Sequence, residues 1–151
     1  VNKNNENLIG RIKIAYFDKP YPVGNDYFKA VAESNYQDYF ETKEKKTFWE
    51  LDINDFKRNY DFLFFLDGHG VAYYIPAYMI SILTYEELIC HPSMDCLLSS
   101  VAGLDCDFLS KKELLLVMEF LELFESHVDV NEDLLADALK NINHCMGFRL
   151  N

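Results

Sequence analysis

From Asn5 to Phe17 the apolar residues Leu8, Ile9, Ile12, Ala15 and Tyr16 recur at i, i+1, i+4, i+7 and i+8, the signature of one buried helix face. Pro20 and Pro22 in KPYP then end that helix. Over residues 26–44 the pattern predicts one or two further helices, with Tyr27, Phe28, Val31, Ala32, Tyr36, Tyr39 and Phe40 turned inward. Asp52 or Asn54 can cap a short helix running to about Tyr60.

The stretch FLFFLDGHGVAYYIPAYM, Phe62 to Met79, is the hardest to assign. Two aromatic or β-branched runs flank an Asp-Gly pair, which favours a β-hairpin over residues 62–75. The competing assignment is two short helical turns bent at Gly68 and Gly70. Pro76 then suits the first turn of a helix reaching about Cys90, and Pro92 ends it. A short helix over Ser93–Val101 closes at Gly103.

The strongest signal follows. Ser110 and Glu113 form a capping box ahead of LLLVMEFLELF, whose polar residues Glu119, Glu122 and Ser126 make only a narrow stripe. This predicts a largely buried helix at the centre of the core. A last helix begins near Asn131, carries acids in its first turn and is expected to stop at Gly147. The expected architecture is mostly α, a single compact domain of about five to seven helices with one short hairpin.

Composition narrows the class. A chain of 151 residues, half of them hydrophobic, with ten Tyr and twelve Phe, can bury one substantial core. Sparse Gly and Pro argue against a disordered or loop-rich chain. No apolar run approaches 18 residues and the polar N-terminus lacks a signal-peptide core, so a cytoplasmic protein is expected. Cys90, Cys96, Cys106 and Cys145 are then expected as reduced thiols. The spacing around His91 lacks the C-x2-C pair that would hold zinc.

Charge separates the two halves of the chain. Residues 1–75 carry 10 basic and 12 acidic side chains, net −2, whereas residues 76–151 carry 4 and 13, net −9. No Lys or Arg lies between Arg58 and Lys111, and none between Glu113 and Asp137, which span eight acids. Such a field repels nucleic acid and anionic membranes and speeds capture of a basic protein. ETKEKK, the one concentrated basic patch, alternates with acids and is too short for a nucleic-acid site.

Catalytic chemistry finds little support. Asp67 and His69 could act as a base and its orienting acid, and Cys90, His91, Asp95 and Cys96 could surround a metal or a thiolate. There is, however, no G-x-S-x-G, no phosphate-binding Gly loop, no H-E-x-x-H and no C-x-x-C. DGHG reads as a turn, and no cofactor is expected. Tyr73, Tyr74 and Tyr78 read first as core rings; the alternative is a Tyr-rich recognition surface able to form a homodimer.

YYIPAYM, Tyr73 to Met79, with IAYFDKPYP upstream, resembles an uncharacterised family of small bacterial proteins bearing a motif close to FxYYLPAYL. The likeness covers roughly residues 8–125 and departs at DGHG. It implies a shared fold and no activity.

The expectation for function is therefore an acidic protein-binding module. Its most concrete form is an immunity protein that neutralises a basic bacterial toxin, such as a nuclease, by presenting carboxylates where phosphates would sit. The expected contact surface is the base-free segment 84–110, with Glu86, Glu87, Asp95, Asp105 and Asp107 as carboxylates and Tyr85 as an aromatic anchor. A self-associating structural or regulatory subunit is the alternative.

Overall fold

The structure, a computed structural model, describes residues 2–20 and 52–150, with the backbone alone for 148–150. The helices expected over 26–44 and the ETKEKK patch lie outside the described residues. Six α-helices are described: α1 (Lys3–Tyr16), α2 (Ile53–Arg58), α3 (Gly68–Thr84), α4 (Pro92–Ala102), α5 (Lys111–Glu122) and α6 (Glu132–Leu150). Short 3-10 turns cover Phe62–Phe65, Glu86–Leu88 and Cys106–Phe108. The mostly α architecture agrees with the hydrophobic pattern.

Local chemistry explains most helix starts. The Asn2 side chain accepts from the Asn5 N–H at 2.8 Å and starts α1. Asp52 and Asp55 form a reciprocal capping box at α2, and Ser110 and Glu113 form the expected one at α5. Asn131 caps α6 through the Leu134 N–H. Leu8, Ile12 and Tyr16 are buried on α1, as their spacing predicts.

There is no hairpin over 62–75. Phe62–Phe65 is a 3-10 turn, and the whole stretch from Gly68 to Thr84 is one helix. A short apolar run buried on all sides carries no period, so length and flanking residues had to decide between strand and helix. Here Asp67 is an N-cap, its carboxylate accepting from the Gly70 N–H at 3.0 Å. Pro76 therefore lies inside α3 rather than in a first turn and leaves the Ala72 carbonyl without its usual i+4 donor. That cost, about 3 kcal/mol in a helix interior, is small beside the burial along α3. Val71, Tyr73, Tyr74, Ile75, Tyr78, Met79, Ile82 and Leu83 are all buried, at about 1.5–3 kcal/mol each.

α3 also takes the central position expected of α5. Of its 17 residues 13 are buried, against six of 12 in α5. α3 packs against α1 and α4, while α6 packs across α4 and α5. α1 and α5 run antiparallel: Arg11 pairs with Glu119, and Lys19 with Glu113. Two expected helix ends shift. α3 stops at Thr84 rather than Cys90, and α6 runs through Gly147, where the helix is open to solvent and no turn is imposed.

The cysteines are a further correction. Cys106 and Cys145 form a disulfide with Cα atoms 5.1 Å apart, whereas Cys90 and Cys96 are free. The bond ties the 3-10 turn after α4 to α6. Beside it the Asn141 amide donates to the Val101 and Leu104 carbonyls, both at 2.8 Å, and so satisfies the open end of α4. No described helix is long and apolar enough to cross a membrane.

Candidate functional site

The six residues expected to form one contact surface are all exposed, but they fall at two ends of the molecule. α3 is about 25 Å long from its 17 residues. Tyr85, Glu86 and Glu87 follow its C-terminus. Its N-terminus lies against Phe108, so closely that a Cβ on Gly68 would land in the ring, and this places Asp105 and Asp107 beside that end. α4, with Asp95 in its first turn, leads from one end toward the other.

Some of these carboxylates already serve the fold. Glu87 pairs with Lys57 at 3.0 Å, and Asp105 accepts from the Asp107 N–H at 2.9 Å to close a turn.

The residues considered for catalysis are divided in the same way. Asp67 caps α3 and His69 packs edge-on to Phe108, with ring centres 4.6 Å apart. Cys90 and His91 sit beyond the opposite end of α3, where the His91 ring accepts from the Ser93 N–H and caps α4. Cys96 is buried, and burial pushes its thiol up to about 12, so it stays protonated. Among the described residues no group of three or more His, Cys, Asp or Glu is placed to hold a metal ion.

What does converge is the end of the molecule at Tyr85 and Glu86. An open cleft of ≈ 460 Å³ is lined there by Asn5, Leu83, Glu86, Leu123, Phe124 and His127, among others. It shares Phe124 and His127 with a smaller depression of ≈ 340 Å³ lined by Glu125, Val128 and Glu132, among others. The loop between α5 and α6 forms this rim because His127 turns it back. The imidazole Nδ1 accepts from the Asp129 N–H, and the ring leans on Phe124.

Acids and apolar groups mix on this end. Glu86, Glu122, Glu125, Asp129, Glu132 and Asp133 are exposed, beside Tyr85 at 38%, Leu123 at 49% and Val128 at 94% exposure. α1 brings Lys3 and Glu6 in its first two turns, one charge of each sign. The base-free run from Glu113 to Asp137 was the signal for this surface, although the sequence pattern pointed first to residues 84–110. Only the fold brings Tyr85 and Glu86 to the 122–133 segment.

The Tyr pair and Tyr78 of YYIPAYM face inward, at 2%, 0% and 1% exposure, so they are core rings and not a surface. The chain matches no protein-family model, no curated protein and no solved structure.

Proposed function

We propose that this protein is an acidic binding module for a basic protein, in its most concrete form an immunity protein that holds and neutralises a basic toxin domain. The observation that carries the reading is the mixed acidic and apolar end around Glu86, Leu123, Val128 and Glu132. Carboxylates steer and select a cationic partner, and exposed Tyr85, Leu123 and Val128 supply apolar contact that charge alone lacks. Asp105 and Asp107, about 25 Å away along α3, then contribute to the long-range field more than to contact.

The test begins with tagged protein used to capture partners from its own cell lysate, with elution in steps of rising salt. A basic protein released only at high salt is the expected result. Reversing Glu86 and Asp129 to Lys, both exposed and neither at the start of an α-helix, should then slow its association about tenfold while the thermal midpoint holds. Recovery of the protein without any basic partner, or an association rate indifferent to the reversal at low salt, overturns the reading.

A further inference from the structure

The outward ridge of α5 is unusual for a surface helix. Leu115, Glu119 and Leu123 follow one another at i, i+4 and i+8, and both leucines are 49% exposed. Beside this ridge Ile14 of α1 is 71% exposed. Between the two helices runs a mainly apolar groove of ≈ 300 Å³, lined by Arg11, Ile14, Lys112, Leu115, Leu116 and Glu119.

The charges along α5 run against its own dipole. Lys111 and Lys112 open the helix, while Glu119 and Glu122 occupy its last turns. Cations near an N-terminus and anions near a C-terminus are each disfavoured in a lone helix. Glu113, the one acid in the first turn, is buried in the capping box and in its pair with Lys19. An antiparallel copy of α5 corrects this ordering, because it brings the acidic end of one helix to the basic end of the other.

We propose that this face is the contact of a twofold homodimer in which the α5 helices pair antiparallel. Lys112 lies beside Glu122 of the second copy, and this register sets the Leu115 side chains of the two copies on either side of the axis. The 115–119–123 ridge of each chain enters the α1/α5 groove of the other. The contact is self-complementary in charge and in shape, as a closed twofold interface requires. The paired Arg11 and Glu119 lie nearest the axis and neutralise each other within one chain, with nitrogen and oxygen 2.7 Å apart. Two helices of 14 and 12 residues give a face only about 20 Å long. That is small for an interface, and the net charge of −11 on each copy opposes association, so a micromolar dimer is expected.

Sedimentation equilibrium from about 1 to about 300 µM at physiological ionic strength, where screening acts beyond about 8 Å, tests this directly. The wild-type chain should form dimers, and Leu115→Asp should be monomeric with an unchanged thermal midpoint, since Leu115 is half exposed. Lys112→Glu and Glu122→Lys should each raise the dimer dissociation constant about tenfold, and the double variant K112E/E122K should restore it. A wild-type monomer across the whole range overturns the proposal. So does a double variant no tighter than either single one, which would show that the two residues do not meet. The dimer covers Leu123 and so competes with the basic partner for that residue. Capture of a basic partner should survive Leu115→Asp, so failure of the dimer leaves the partner reading intact.

Discussion

Tyr78 joins two parts of the chain through a single atom. Its ring is buried edge-on to Phe56, 4.8 Å between centres, and its hydroxyl donates to the Tyr60 carbonyl at 2.9 Å. Burial first of all holds its ionisation well above the usual tyrosine value. Tyr16 behaves alike: burial, then the neighbouring Glu113 carboxylate, pushes its ionisation up. Both groups are more acidic in the unfolded chain. Their contribution to stability is therefore fully present below about pH 10, the unfolded value, and is lost as pH rises beyond it. Alkaline titration should show these two tyrosines ionising only together with loss of helical circular dichroism. Tyr78→Phe should cost about 1 kcal/mol at neutral pH, measured by urea unfolding, because the Tyr60 carbonyl loses its donor. A freely titrating Tyr78 in the folded protein would contradict the packing described here.

At the scale of elements, α3 shows how one residue decides between structures. DGHG was expected as a turn, and each of its residues instead serves a helix start. Asp67 caps, Gly68 admits Phe108, His69 packs on that ring, and Gly70 donates to Asp67. Asp67→Ala should destabilise the protein by about 1 kcal/mol in urea unfolding, with the loss matched by Asp67→Val but smaller for Asp67→Asn, which can still accept. Equal effects from all three would mean that the cap contributes little. α5 was readable in advance through its capping box, yet its degree of burial was not. The pattern LLLVMEFLELF is apolar enough for a central helix, and only neighbouring helices show that Leu115 and Leu123 are left outside.

For the whole molecule, the clamp on α6 matters most. The Cys106–Cys145 bond closes a loop of 39 residues, and Asn141 ties the same helix to the end of α4. A crosslink of this span should stabilise by roughly 4 kcal/mol through the unfolded chain's lost entropy. Cys106→Ser with Cys145→Ser should lower the urea midpoint accordingly, and a reductant should do the same to the wild type. Hydrogen exchange should rise first over residues 101–108 and in the second half of α6. Under native conditions a thiol reagent should label Cys90, which is exposed, and spare buried, protonated Cys96.

The sequence by itself determined the helical class, the capped starts of α2 and α5, the inward face of α1 and the segregation of acids into the second half of the chain. These features are local: a cap needs three or four residues, a helical face needs a few turns, and charge needs only counting. Tertiary structure alone decided that residues 62–84 hold no strand, since a run buried on every side has no period to read. It also decided which two cysteines meet, a pairing that spacing cannot fix. Finally, it separated Asp105 and Asp107 from Glu86 and joined Glu86 to Leu123 and His127. Neighbours along the chain become distant when a helix of about 25 Å lies between them, and a surface is composed of residues that only packing brings together.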